Sequence, residues 1–325
     1  MGTEGELVAG RYRLDQPIGR GRAGIVWLAY DIKLNRTVAA KRMYVPPGLD
    51  PARAEQARAI AFQEGQDATR VVHGCVITVH EAVLDGGQPW LVMEYVPSRN
   101  MADFLGEHGQ LTPEQASFLG IQLATALTAA HNAGLAHRSV EPGNVLLADD
   151  GGVKVTDFGI SGAGASPAYR APEVARGQRA GSASDAFSLG ATLYTAVEGV
   201  PPFGEQGTGE LRSPQRAGAL TGALLKLLRA DPTARPTMAD TIASLQAITQ
   251  GRQSAFIPPT APVMPTIPAM PRPPLVQQPP PAPRPSRAPM DVIRSSPKLR
   301  MWILTVLAIL TAAAIGIGIA ELLFV

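Results

Sequence analysis

The chain has 325 residues, enough for one large domain with appended segments or for two smaller domains. Its formal net charge is +2 with 17 % charged residues, so no nucleic-acid footprint is visible and any partner must be recognised through local features. The single cysteine, Cys75, excludes an internal disulfide framework and a thiolate metal cluster, which fits a reducing compartment.

The opening "MGTEGELVAG" has no basic stretch and no apolar core, so no signal peptide is expected and residues 1–10 read as a tail. From Arg11 onward "YRLDQPIGRGRAGIVWLAYD" and "RTVAAKRMYV" predict strands around a glycine turn, and "WLVMEYV" predicts a buried strand. The helical signal comes later. "TPEQASFLGIQLATALTAAHNAG" opens with a cap of the S/T-x-x-E/Q type at Thr112 and Gln115 and keeps apolar residues at helical spacing until Gly134.

Two further segments close the chain. Residues 250–298 contain the tract Pro258 to Pro289, whose prolines lack the N–H that a helix or ladder needs. An extended, disordered polyproline II spacer is expected, either a plain tether or a ligand for a proline-reading domain. Residues 299–322 include the uncharged run Trp302 to Ala320, long enough at about 1.5 Å per residue to cross the hydrocarbon core. Arg294, Lys298 and Arg300 precede it and only a short tail at 323–325 follows, so the positive-inside rule predicts a single-pass plasma-membrane protein with its N-terminal domain in the cytoplasm and no outer sensor domain.

Several residues in the first domain point to chemistry. Gly19, Gly21 and Gly24 form a G-x-G-x-x-G pattern between two strands, which suits a flap whose backbone N–H groups close over phosphates rather than the version that opens a helix. Lys41, in the apolar strand "VAAK", needs an anionic partner, and Glu64 is the natural candidate. Asn144 in "HRSVEPGN" and Asp157 in "TDFGI" are hard oxygen donors suited to Mg²⁺ held against nucleotide phosphates. His73, His80, His108 and His131 lack metal spacing and read as ordinary histidines, and His137 reads as structural.

With "SPAYRAPE" and "DPTARP" following in order, residues 11–249 resemble the protein kinase family, specifically the bacterial eukaryotic-like Ser/Thr kinases. The resemblance implies an α+β, two-lobed fold with a small β-rich lobe and a larger α-rich lobe, and ATP and Mg²⁺ as cofactors. It implies that Lys41 holds the α- and β-phosphates and pairs with Glu64, and that Asp157 and Asn144 bind the metal. Ile18 and the glycines would form the nucleotide flap. Met93 to Val96, with Glu94 between, would be the hinge that meets adenine, and Val26, Ala39 and Leu146 would pack on the ring. Glu173 with Arg235, and Asp185, match positions that brace the larger lobe.

The resemblance fails at two positions. Ser139 stands where the family carries the aspartate that accepts the proton of the attacking hydroxyl, which removes a general-base effect of about 10² to 10⁴ in rate, roughly 3 to 5 kcal/mol of barrier. Glu141 stands where the family carries a lysine that supports the transferring phosphoryl group, placing negative charge where negative charge is handled. A rescue in which Glu141 acts as the base is disfavoured, since side chains two apart on an irregular loop need not reach one point. The activation segment between Asp157 and Glu173 has no threonine and only Ser161 and Ser166 as aliphatic hydroxyls, so Arg138, which in the family meets a phosphothreonine, is expected to lack its partner.

The reading is therefore a membrane-anchored pseudokinase that binds Mg·ATP and acts as a scaffold or regulator. An active Ser/Thr kinase of reduced rate is the alternative. The expected partner is a cytoplasmic or inner-membrane protein such as a forkhead-associated-domain protein or an active kinase, with Thr260 and Thr266 as candidate acceptors.

Overall fold

The computed structural model describes residues 2–21, 24–160 and 166–250, all within one compact unit, Met1–Pro262. The proline tract, the apolar run and residues 161–165 lie outside the described residues, and with them the expectations for the linker, the membrane span, Ser161 and the acceptor threonines.

The small lobe is an antiparallel sheet of β1 (Leu7–Val8), β2 (Tyr12–Gly21), β3 (Gly24–Asp31), β4 (Arg36–Arg42), β5 (Val79–Asp85) and β6 (Gln88–Glu94), in the order β1-β2-β3-β4-β6-β5, with helix α1 (Pro51–Ala68) inserted after β4. The expected strands are present, and Gly21 pairs with Gly24 across the expected turn, whose residues 22 and 23 lie outside the described residues. Pro17 cannot donate to a ladder, and it sits where the β2 register shifts between Pro17 and Gly19. Alternation along β4 sends Val38 and Ala40 into an outer cluster with Tyr12, Trp27 and Trp90, and Ala39 into an inner cluster with Met93 across the β4–β6 ladder. Lys41 shares the parity of Ala39. That period of two is what delivers a lysine to the cleft.

The α1 helix starts at Asp50, whose carboxylate accepts from the backbone N–H of Arg53, followed by Pro51 where the missing donor costs nothing. After α1 the chain is tied to the large lobe: Val155 N donates to Cys75 O at 2.8 Å and Ile77 N to Val155 O at 2.9 Å. These two bonds set where α1 stands relative to the catalytic loop.

The large lobe contains β7 (Ser98–Asn100), α2 (Met101–His108), α3 (Pro113–Asn132), β8 (Val145–Ala148), β9 (Val153–Val155), α4 (Pro172–Ala175), α5 (Ser182–Glu198), α6 (Thr221–Leu227) and α7 (Met238–Thr249). The cap read from Thr112 and Gln115 is reciprocal: Thr112 N donates to Gln115 Oε1 at 2.9 Å and Gln115 N to Thr112 Oγ1 at 3.2 Å. Helix α5 is buried almost throughout and forms the axis of the lobe. Two glycines make that packing possible, since a Cβ at Gly120 would lie 2.7 Å from Leu245 Cδ1 and one at Gly190 2.6 Å from Leu227 Cβ.

Among the described residues no helix is long and apolar enough to cross a membrane.

Candidate active site

Between the lobes, residues of β3, β4, β6, β8 and the segment after β6 come together. Ala39 and Met93 are buried in the inner cluster, and Val26, Val96 and Leu146 pack against it, so five of the residues proposed to surround a base are brought together. Ile18 is 40 % exposed on β2 and stands outside that cluster. Glu94 is fixed by its own side chain. Burial pushes its pKa up, but Lys154 Nζ at 2.7 Å and the Thr78 N–H at 2.8 Å outweigh that and hold it below the ordinary carboxylate value. The flap strands pair Gly19 with Val26 and Gly21 with Gly24. Gly24 has φ +117° and its Cβ position lies 3.2 Å from Arg42 O, a conformation and an approach that require glycine.

Lys41 Nζ donates to Asp157 Oδ2 at 2.6 Å, with both side chains largely buried. The expected Lys41–Glu64 pair is not the one formed. Glu64 Oε1 instead accepts from Arg138 Nη1 at 2.7 Å, and the same guanidinium nitrogen donates to Gly159 O at 3.1 Å. Arg138 is therefore not left without a partner. The physical reason is competition for charge: the guanidinium meets the α1 glutamate at 2.7 Å, and Lys41 takes Asp157 at 2.6 Å.

The catalytic loop hangs on α5. Buried Asp185 accepts from His137 N at 2.8 Å, Arg138 N at 2.9 Å and His131 Nε2 at 2.8 Å, while Thr192 Oγ1 donates to Val140 O at 3.1 Å. Arg138 (φ +74°) and Asp157 (φ +68°) both adopt left-handed backbone, which costs of order 1–3 kcal/mol each and persists because these bonds over-determine it. His137 packs on Phe158 with ring centroids 4.4 Å apart, and complete burial lowers its pKa, so it stands neutral. His131 is the histidine whose role sequence reasoning missed. Nothing in its spacing announces a bond to a residue 54 positions away.

Ser139 is 9 % exposed and enclosed by its neighbours. Asn144 Nδ2 donates to Ser139 O at 2.8 Å and to its Oγ at 3.3 Å, and Ser139 N donates to His137 Nδ1 at 3.3 Å. The hydroxyl thus fills a structural position and supplies no base. Glu141 is engaged with the activation segment: its Oε2 accepts from Ser166 N at 2.8 Å.

A cation fits this site. Asp157 Oδ1 is fully buried and has no hydrogen-bond partner, an acceptor that a divalent ion would satisfy. With Nδ2 of Asn144 committed to Ser139, its Oδ1 is the atom it would offer beside Asp157. Among the described residues no cluster of three or more His, Cys, Asp or Glu stands ready to hold a metal.

A family model described as Protein kinase domain matches residues 12–245. Serine/threonine-protein kinase PknA of Mycobacterium tuberculosis is 36 % identical over 262 residues, 75 % of this chain and 57 % of its own length. Probable serine/threonine-protein kinase PknB of Corynebacterium glutamicum is 36 % identical over 215 residues, 61 % of this chain and 33 % of the relative, so this chain spans about a third of that protein. Among solved structures, the kinase domain of Mycobacterium tuberculosis PknI superposes with a TM-score of 0.65 at 24 % identity, covering 76 % of this chain and 99 % of that one, a likeness of fold.

Proposed function

The chain belongs to the protein kinase family, and from that premise we propose that it is a pseudokinase, binding Mg·ATP in the interlobe cleft and transferring phosphate slowly or not at all. What carries the reading is a division within one site. Lys41, proposed to hold phosphate, meets Asp157, proposed with Asn144 to hold the cation, whereas Ser139 is enclosed by Asn144 and His137, and Glu141 is engaged with Ser166. Lys41 holds the phosphates and Asp157 offers its free oxygen to the cation, which neutralises phosphate charge. No carboxylate stands at Ser139 to take the proton of an acceptor hydroxyl. Nucleotide occupancy favours the closed arrangement of the lobes, and that arrangement is what a partner reads.

The apolar run at Trp302 to Ala320 supports tethering of the domain to the cytoplasmic face of a membrane by one span, with residues 250–298 as spacer. The partner is a protein at that surface, such as a forkhead-associated-domain protein or an active kinase acting on Thr260 or Thr266.

A second reading, a Ser/Thr kinase of reduced rate, is favoured by the relatives' names and by the retained metal and phosphate ligands, since positioning and electrostatics supply most of phosphoryl transfer. One experiment separates the two: γ-phosphate transfer by the full chain in detergent, to itself and to a generic protein acceptor, beside Asp157→Ala. Wild type equal to Asp157→Ala, with a Mg·ATP-dependent melting shift in wild type alone, supports the pseudokinase. Transfer by wild type and not by Asp157→Ala overturns it in favour of the second reading. No melting shift in wild type removes the nucleotide-binding premise itself.

A further inference from the structure

We propose that Glu141 is a positioning residue for the activation segment, an internal substitute for the phosphate that would otherwise order it. The inference stands on geometry alone and holds whether or not the chain transfers phosphate. One short stretch of catalytic loop grips the segment at two points: Arg138 Nη1 donates to Gly159 O at 3.1 Å near its start, and Glu141 Oε2 accepts from Ser166 N at 2.8 Å near its middle. The stretch that does the gripping is itself held by hydrogen bonds. Asp185 holds the backbone at His137 and Arg138, Thr192 holds Val140, and Asn144 N donates to Glu141 O at 2.9 Å. Opposite Glu141, Ser188 Oγ donates to Tyr169 O at 2.8 Å, so the short 3₁₀ turn Pro167–Tyr169 is held from α5 as well.

The chemistry explains the residue. A phosphorylated segment is ordered by charge-assisted hydrogen bonds from cations of the loop. This segment offers no threonine, and a carboxylate on the loop bonding a backbone N–H of the segment gives the same class of bond with the charge on the other partner. Glu141 on this account is the residue that a segment without a threonine calls for, and lysine there would have no acceptor to meet at Ser166 N. Arg138 completes the arrangement by holding Glu64 of α1 at 2.7 Å, so α1, Gly159 and Ser166 are all tied to one loop.

The test is amide hydrogen exchange of the full chain in detergent, without nucleotide, for wild type, Glu141→Ala and Glu141→Gln. We expect exchange in the peptide covering Ser166 to Tyr169 to rise at least tenfold in Glu141→Ala. Glu141→Gln, which keeps a carbonyl acceptor at the same reach, should stay within about threefold of wild type, and α3 and α5 peptides should be unchanged in both. Arg138→Ala should instead raise exchange in α1 and around Gly159. A rise of under threefold at Ser166 to Tyr169 in Glu141→Ala overturns the proposal. So does an equal rise in Gln and Ala, or a rise shared by α3 and α5, which would make Glu141 a general element of stability.

Discussion

Lys41 and Asp157 neutralise one another across the cleft at 2.6 Å, with 7 % and 12 % of their side chains exposed, and Glu64 is held away on Arg138. The groups that would meet phosphate and cation are thus each other's counter-ion. Removing the lysine leaves a nearly buried carboxylate with an unpaired oxygen. Lys41→Ala should destabilise the chain by about 3–5 kcal/mol. Millimolar Mg²⁺ without nucleotide should restore part of that loss and raise the melting temperature of Lys41→Ala more than that of wild type. Calorimetry with Mg²⁺ and with a chelator checks it, and equal shifts in both proteins would refute it.

Repair of the catalytic loop should be asymmetric. Ser139→Asp alone returns a carboxylate beside Asn144 and should raise phosphate transfer by up to about 10² over wild type. Adding Glu141→Lys, the change that completes the family pattern, removes the bond to Ser166 N and should lower that gain rather than increase it. Radiolabel incorporation by the two variants in parallel decides the order.

The ion pair of Arg235 with Glu173 is bidentate at 2.7 Å, and its arginine is fully buried. Arg235 also donates to the carbonyls of Arg229, Ala183 and Ala230. Arg235→Ala strands the glutamate and three acceptors at once, and should cost at least about 3–5 kcal/mol in urea unfolding. A cost under about 1 kcal/mol would mean the bracing role is misplaced.

Acid should loosen the small lobe through Asp31. Arg11, at 2.7 and 2.8 Å, holds its carboxyl down at about 2 against an ordinary 3.8, helped by the N–H groups of Lys33 and Leu34 and opposed by burial. The native state favours the ionised form, so the unfolded chain binds more protons between those values. This contribution is complete above about pH 4 and is lost as pH falls toward 2. Asp31→Asn should flatten the stability curve in that window, and an unchanged slope would exclude the assignment.

A methyl group at Gly120 should be expelled by its neighbours. Leu245 Cδ1 at 2.7 Å and Leu193 Cδ1 at 2.8 Å leave no room between α3, α5 and α7, so Gly120→Ala should cost about 1–3 kcal/mol despite the better helix propensity of alanine. A stabilised Gly120→Ala in thermal melts would show that the helices can part.

What sequence makes legible here is what is local or periodic. The Thr112 cap, the pairing of β2 with β3 and the alternation that brings Lys41 to the cleft are properties of neighbouring residues, and each has its counterpart in the structure. The motif order likewise identifies Asn144 and Asp157 as oxygen donors. Side-chain pairings across long separations were not legible. Arg138 with Glu64, His131 with Asp185 and Glu141 with Ser166 depend on how α1, α5 and the activation segment are packed, and a charge carries no mark of which opposite group it will meet. Glu141 illustrates the limit: its sign argued for repulsion from phosphate, and its actual neighbour is an amide.

The clustering of aromatic residues gives the small lobe its own optical signal. Both tryptophans among the described residues, Trp27 and Trp90, are buried in the outer cluster of the sheet, and the large-lobe core contains none. With the third, Trp302, replaced by phenylalanine, the red shift of indole emission in rising urea would time the opening of the sheet alone. Far-ultraviolet ellipticity, to which α3, α5 and α7 of the large lobe contribute more helical residues than α1 of the small one, would follow chiefly the large lobe, and any gap between the two curves would measure how independently the halves come apart.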